Sequence, residues 1–135
     1  MFHDYANLYF NPRNPMMYYL TKHQELDDLC IICIDKRVLD LKGTVISDRN
    51  VASELADKGK RYINFTKIFS KYWISDNPLE QCENKQIQCA EVLVYNKVDT
   101  EYLIGVIVCN ERAKQKIEDM NLNIKVTIRK EYFFQ

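Results

Sequence analysis

Hydrophobic and polar positions alternate in short blocks along the chain, and the blocks predict strands separated by helices. Residues 90–95 and 103–108 are rich in β-branched and aromatic residues between polar turns, which is typical of strands, and residues 5–10 are expected to form an extended arm that stops at a turn. A continuous apolar run, LCIICI, fills residues 29–34 between acidic neighbours and predicts a central strand that is buried on both faces. A final strand is predicted around residues 124–128.

Proline, glycine and acidic residues mark where two of the predicted helices begin and end. Pro15 is well placed as the first residue of a helix that continues through Leu20, so that Arg13 lies at a strand-to-helix corner. A second short helix over residues 48–59 follows a strand around Val45, with an aspartate as its cap and a glycine at its end.

Two further helices are predicted in the second half of the chain. Large apolar residues recur at helical spacing over residues 63–73, and Asn77 and Pro78 are expected to end that pattern and begin a polar loop that extends to Gln86. A charged helix is predicted over residues 110–120. Alternating strands and helices in 135 residues predict one domain over residues 1–135, of the α/β or the α+β class.

Composition then excludes several classes of function. Lys plus Arg equals Asp plus Glu, with 19 of each, so the chain has no overall positive field for nucleic acid and any contact with it must be local. The 3 glycines lie far apart, which excludes both the glycine-rich dinucleotide turn and the phosphate-binding P-loop. The apolar runs are far shorter than the about 20 residues of a membrane-spanning helix.

The N-terminal sequence and the cysteines predict a cytoplasmic protein. The first residues lack both the basic and the apolar region of a secretory signal. The cysteine count of 5 is odd and favours reduced thiols over a disulfide framework. Cys30 and Cys33 have C-x-x-C spacing, but side chains three apart on a strand point to opposite faces, so no metal site is predicted there.

Two features carry candidate chemistry and leave alternatives open. Glu91 is a lone carboxylate at the start of the apolar segment CAEVLVY, where it either faces water on an edge strand or has a function. Aromatic residues cluster around Arg13, where they either pack in the core or stack on nucleic-acid bases. These aromatic residues are Tyr5, Tyr9, Phe10, Tyr18 and Tyr19.

Three ordered blocks, YFNPRNPMMY at residues 9–18, ISDRNVAS at 46–53 and CAEVLV at 89–94, resemble the DarT family. Its members are toxins that ADP-ribosylate thymidine in single-stranded DNA with NAD as co-substrate. The resemblance implies an ADP-ribosyltransferase-like fold, in which two small β-sheets enclose an NAD cleft and helices flank them. It also implies two partners, thymidine-containing single-stranded DNA and a macrodomain-type antitoxin.

The resemblance further assigns roles to residues. Glu91 corresponds to the catalytic glutamate and Arg13 to the active-site arginine, and both are expected on one cleft. The implied NAD contacts are Arg13, Asn11, Met16 and Tyr19, and the implied DNA contacts are Tyr9, Asn50 and Gln88. Strand alternation predicts that Gln88 points to the face opposite Glu91.

Family members carry several tens of residues before the first block, including a strand whose histidine holds the nicotinamide end of NAD. This sequence begins almost at the block. Either the domain is N-terminally shortened, in which case we expect one open wall of the NAD cleft and weak NAD binding, or His3 and its neighbours replace part of that site. The alternative functions are a catalytically inactive relative that binds DNA or a partner protein, and a regulatory fragment carried by a phage or plasmid.

Overall fold

The strands of the computed structural model, which describes residues 4–48, 65–69 and 76–134, form two three-stranded sheets. The strands are β1 (Tyr5–Tyr9), β2 (Cys30–Ile34), β3 (Val45–Ser47), β4 (Glu91–Tyr95), β5 (Leu103–Val108) and β6 (Val126–Ile128). The first sheet has the order β1-β4-β3 and is antiparallel throughout. The second has the order β2-β5-β6, in which β2 is antiparallel and β6 parallel to β5.

Three of the four helices in the described ranges begin after an asparagine whose side chain caps the first turn. The four helices are α1 (Pro15–His23), α2 (Phe65–Ile68), α3 (Pro78–Gln88) and α4 (Glu111–Glu118). Asn14, Asn77 and Asn110 precede α1, α3 and α4, and each accepts hydrogen bonds from backbone amides of the first turn. Among the helices of the described ranges, none has the length and apolar character that a membrane crossing requires.

The core lies against both sheets. Val92 and Val94 of β4 pack on Val38 beneath the first sheet. The second sheet buries Val108 against Ala113 of α4. A third cluster joins Met17 of α1 to Cys109 and Phe133, so the residues after β6 are anchored beneath α1.

The prediction of a central strand over residues 29–34 is wrong in one respect. The strand forms as β2, but β2 is an edge strand, and Ile32 is 56% exposed. Since α4 packs on β5 and β6, the outer end of that sheet face is left uncovered at β2. A short apolar run indicates a strand without indicating its position in the sheet.

The predicted polar loop from Asn77 to Gln86 is also wrong, because this segment is helix α3. Proline disrupts a helix interior but is favoured in its first turn, and asparagine is a preferred cap. The Asn77 Oδ1 accepts a hydrogen bond from the Leu79 backbone amide at 2.9 Å. The dipeptide Asn77-Pro78 therefore begins a helix rather than ending one.

The other predicted elements are confirmed where the structure describes them. The extended arm at 5–10 forms β1, strands β4 and β5 lie within 90–95 and 103–108, β3 begins at Val45 and β6 lies within 124–128, while α1 covers 15–20 and α4 covers most of 110–120. The helix predicted over 48–59 lies outside the described residues, as does most of 63–73, of which α2 is described.

All five cysteines are free thiols. In the described ranges, His, Cys, Asp and Glu side chains do not gather in groups of three or more that could hold a metal ion.

Candidate active site

Glu91 is the first residue of β4, the central strand of the first sheet, and is only 4% exposed. Tyr9 pairs with it on β1 and Ser47 pairs with it on β3. The alternative in which Glu91 faces water on an edge strand is therefore wrong. A carboxylate is costly to bury without hydrogen-bond partners, so its surroundings must supply them.

One of these partners is Asn7, whose Nδ2 donates a hydrogen bond to the Glu91 Oε1 at 3.3 Å. Asn7 lies two residues before Tyr9 on β1, so both side chains share the sheet face of Glu91, and Asn7 is its diagonal neighbour. Sequence reasoning missed this residue. Side chains alternate between the two faces of β1, so Asn7 can be assigned to the face of Glu91 only once the pairing of Tyr9 with Glu91 is known.

A network of asparagine hydrogen bonds fixes the corner between β1 and α1 that carries Arg13. The Asn11 Oδ1 accepts from the Arg13 backbone amide at 3.0 Å, and its Nδ2 donates to the Ile68 carbonyl at 2.7 Å. The Asn14 Nδ2 donates to the Asn11 carbonyl at 2.7 Å, and its Oδ1 caps α1 by accepting from the Met17 amide at 2.9 Å. Asn11 is 6% exposed and Asn14 2%, so both are part of the scaffold under Arg13.

This corner is bonded directly to the start of β4. The Phe10 backbone amide donates to the Ala90 carbonyl at 3.4 Å. Burial raises the pKa of the Cys89 thiol to about 11, while a hydrogen bond from the Met16 backbone amide acts in the opposite direction. Arg13 lies between Phe10 and Met16, and Glu91 follows Ala90, so both segments meet at the same end of the first sheet.

The guanidinium of Arg13 lies 4.0 Å from the ring centroid of Phe134. In the part of the chain that the structure describes, it forms no hydrogen bond or ion pair. The other arginines in these ranges each face a carboxylate: Arg37 faces Asp35 at 3.1 Å, Arg112 faces Asp27 at 3.5 Å and Arg129 faces Glu131 at 3.8 Å. Among described residues, the charge of Arg13 is thus available to an anionic ligand.

Tyr9 brings a neutral phenol to the same region. Burial, followed by the negative charges of Glu91 and Cys89, raises the pKa of Tyr9 to about 12. The hydroxyl therefore keeps its proton near neutral pH and can donate a hydrogen bond. Tyr9 is still 39% exposed, which leaves part of its ring open to a ligand.

A cavity of about 690 Å³ lies between the β1–α1 segment and β2. Its volume falls within the range of small-molecule sites, about 300–1,000 Å³. The predicted contacts that line it are Tyr9, Asn11 and Met16. Arg13 lies between two lining residues, Pro12 and Asn14, and Glu91 is joined to a third, Asn7, although neither charged residue itself lines the cavity.

The remaining predicted contacts lie elsewhere. Tyr19 is 56% exposed on α1 and packs against the ring of His23 at 4.2 Å, away from the lining of the cavity. Gln88 is 1% exposed and is the last residue of α3. The prediction that strand alternation places it opposite Glu91 is therefore wrong, because Gln88 is not in a strand. Asn50 lies outside the described residues.

Two small sheets beside a cavity, with a buried glutamate on a central strand, form the fold expected of an ADP-ribosyltransferase, and solved structures share it. Thermus sp. 2.9 DarT in complex with NAD+ matches with a TM-score of 0.83 and 21% identity, covering 98% of this chain and 74% of that one. The same DarT in complex with ADP-ribosylated ssDNA also gives 0.83 and 21%, covering 99% and 70%. The predicted fold class is confirmed.

The DarT family model, ssDNA thymidine ADP-ribosyltransferase, matches residues 1–134, and the chain belongs to this family. A curated relative from Thermosipho africanus (strain H17ap60334), a DNA ADP-ribosyl transferase-DNA ADP-ribosyl glycohydrolase fusion protein, is 29% identical over 140 residues. The match covers 97% of this chain and 35% of the relative, so the chain spans about a third of that relative's length.

Proposed function

We propose that this chain transfers ADP-ribose from NAD to thymidine bases in single-stranded DNA and acts as the toxin of a toxin–antitoxin pair. Family membership supports the reaction, and so do the NAD+ and ADP-ribosylated ssDNA complexes of the Thermus relative. The observation that carries the proposal is the meeting of the Arg13 corner and the Glu91 strand end, through the Phe10–Ala90 hydrogen bond, beside the cavity.

Glu91 stabilises the positive charge that develops at the ribose anomeric carbon. In the reaction, the bond from this carbon to nicotinamide breaks and its electron pair leaves with nicotinamide, while a thymine nitrogen forms the new bond and releases its proton. A carboxylate that is only 4% exposed acts in a poorly screened environment. A fixed charge at such a position is strong electrostatic catalysis.

Arg13 binds negative charge on the substrates. A guanidinium stays protonated in proteins, so it cannot take the thymine proton itself. It stabilises the base as that proton leaves, and it contacts NAD together with Asn11 and Met16, which line the cavity. Tyr9 and Asn50 are the proposed DNA contacts, whereas Gln88 is buried at the end of α3 and is not proposed as one. A single strand presents unstacked bases at low cost, which explains why the substrate is not a duplex.

We also propose a macrodomain-type antitoxin that removes the modification. The support is the relative whose name joins a DNA ADP-ribosyl transferase to a DNA ADP-ribosyl glycohydrolase in one protein. The proposed compartment is the cytoplasm, which suits five free thiols. Disappearance of the DNA adduct when a purified glycohydrolase of this kind is added tests the pairing.

The test of the reaction is incubation with NAD and a single-stranded oligonucleotide that contains one thymidine. Mass spectrometry should detect one added ADP-ribose. The matched control replaces that thymidine by deoxycytidine and should stay unmodified. If the thymidine oligonucleotide is also unmodified, although it binds the chain, then the chain is a binding protein without transferase activity and the proposal is wrong.

A further inference from the structure

We propose that Phe134 is a positioning residue of the candidate active site, because its ring holds the Arg13 guanidinium in place without occupying its hydrogen-bond donors. The inference rests on the proposed function. Phe134 is far from Arg13 in sequence and follows the last strand, β6. None of the three sequence blocks that resemble the family includes it.

The contact itself is a cation–π interaction. The Arg13 Cζ lies 4.0 Å from the Phe134 ring centroid, well inside the distance of about 6 Å at which such pairs attract. A phenyl ring has no nitrogen or oxygen acceptor. The five N–H donors of Arg13 therefore remain available for a phosphate, a carboxylate or an ionised base, which a guanidinium binds with two parallel hydrogen bonds.

Phe134 is itself fixed on α1. Its ring meets the Tyr18 ring edge-on, with centroids 5.3 Å apart and an interplanar angle of 87°. The preceding residue, Phe133, is 3% exposed in the cluster that includes Met17, against which Phe134 also packs. The segment that carries Phe134 is thus anchored to the same helix that begins at the Arg13 corner, so ring and guanidinium belong to one packed unit.

A second arginine–aromatic pair shows what differs at Arg13. Arg37 lies 5.1 Å from the Tyr102 ring centroid, but it also pairs with Asp35 at 3.1 Å, so its charge is already compensated. For Arg13, the Phe134 ring takes the place of such a carboxylate, because in the part of the chain that the structure describes the guanidinium has no hydrogen bond or ion pair. An aromatic ring can orient a guanidinium without neutralising its charge, and an arginine held in this way can still bind an anionic ligand.

The first experiment measures the contact without requiring activity. The Nε–Hε resonance of Arg13, assigned by its loss in Arg13→Lys, should be shifted upfield by the ring current in the unmodified chain. Phe134→Leu should return it to the position of an unstacked arginine, and Phe134→Tyr should leave it shifted. An unshifted resonance in the unmodified chain would overturn the proposal, whether or not the chain is an enzyme.

The second experiment measures the consequence with NAD and the thymidine oligonucleotide. Phe134→Leu should lower kcat/KM by about tenfold, and Phe134→Tyr should recover most of it, because the ring face is kept. Tyr102→Leu removes the other arginine–aromatic pair and should leave kcat/KM unchanged. Equal losses in the Leu and Tyr variants, or none in Phe134→Leu, would show that Phe134 does not position Arg13. An inactive unmodified chain would refute the proposed function, and the resonance shift would still decide the contact.

Discussion

Two strand-to-helix corners of the molecule share a local design and differ in how they use charge. In both, an asparagine caps the helix: Asn14 begins α1 after β1, and Asn110 begins α4 after β5. Both cap bonds measure 2.9 Å. An arginine stands beside each cap, Arg13 at the first corner and Arg112 at the second.

At the α4 corner the charges neutralise one another within the protein. Arg112 lies 3.5 Å from Asp27, and Lys116 lies 2.6 Å from Asp28. The cap residue also takes part, since the Asn110 Nδ2 donates to Asp27 at 2.6 Å. This corner attaches α4 to the turn before β2, and its polar groups have partners inside the fold.

At the α1 corner, neutral groups hold the charged ones. The cap residue Asn14 bonds to the backbone of Asn11 rather than to an acid, and Arg13 lies on the ring of Phe134. Glu91, at the adjoining strand end, accepts from the amide of Asn7. The two corners therefore differ in that Arg112 is paired with an acid of the protein, whereas Arg13 lies on a neutral ring and Glu91 accepts from a neutral amide, as the proposed function requires of a ligand site.

The largest expected effect comes from Glu91→Gln. The substitution removes the charge and nearly preserves the shape, so we expect transfer to fall at least about a hundredfold while the fold is retained. Single-turnover mass spectrometry of the oligonucleotide measures the rate, and thermal unfolding checks the fold. Glu118→Gln, at the exposed end of α4, is the matched control and should keep full activity. Undiminished transfer in Glu91→Gln would refute the catalytic assignment.

The next effect compares the two corners directly through Arg13→Lys and Arg112→Lys. Lysine keeps the charge but loses the paired donors, so Arg13→Lys should reduce kcat/KM by about 10-fold to 100-fold. Arg112 is highly exposed, and its side chain is paired with Asp27 of the protein itself. Arg112→Lys should therefore change activity by less than about twofold. Equal losses in both variants would remove the distinction between the corners.

Much of this architecture could be predicted from local sequence, because it depends on local signals. β-Branched runs between turns predicted β4 and β5, prolines predicted the end of the extended arm that forms β1, and Pro15 predicted the start of α1. The position of a strand in its sheet could not be predicted in this way. Residues 29–34 look like a central strand because they are apolar, yet strand order is set by pairing between segments distant in sequence.

The candidate site divides in the same way. The resemblance selected Glu91 and Arg13, but the residues that hold them were not found, since Asn7 and Glu91 are 84 positions apart and Phe134 follows the last strand. Asn77 and Pro78 mark a helix boundary in the sequence, but such a dipeptide can follow the end of one helix or begin the next. Only the hydrogen bond from the Leu79 amide to Asn77 shows that it begins α3.

A smaller effect is expected from Asn7→Ala, which removes the amide that holds the Glu91 Oε1 at 3.3 Å. Hydrogen bonds to a charged group contribute about 1.5–3 kcal/mol, and at this long distance we expect kcat to fall about tenfold with little change in the NAD KM. Gln115→Ala removes another amide-to-carboxylate bond, to Asp119 at 2.8 Å on exposed α4, and should leave kcat unchanged. A fall in NAD affinity with constant kcat would show that Asn7 contacts the co-substrate instead of positioning Glu91.

The smallest effect concerns two buried thiols near α1: Cys89, 6% exposed, and Cys109, 3% exposed, which packs against Met17. Burial raises the pKa of Cys89 from 9.0 to about 11 and also raises that of Cys109. Because the thiolate is the reactive form, alkylation of Cys89 by iodoacetamide should be slow at pH 8 and should accelerate as pH rises toward 11.

Peptide mass spectrometry of the alkylated chain then measures the protection of each thiol, with the exposed thiol of Cys82 as an internal standard. Cys89 lies against the α1 corner through the Met16 amide, so NAD bound in the adjoining cavity should slow its alkylation several-fold. Cys109 packs against Met17, which lines the same cavity, so NAD should slow its alkylation as well. The exposed Cys82 should react at the same rate with and without NAD. Alkylation of Cys89 that is as fast with NAD as without it would contradict binding of NAD in the cavity beside the α1 corner.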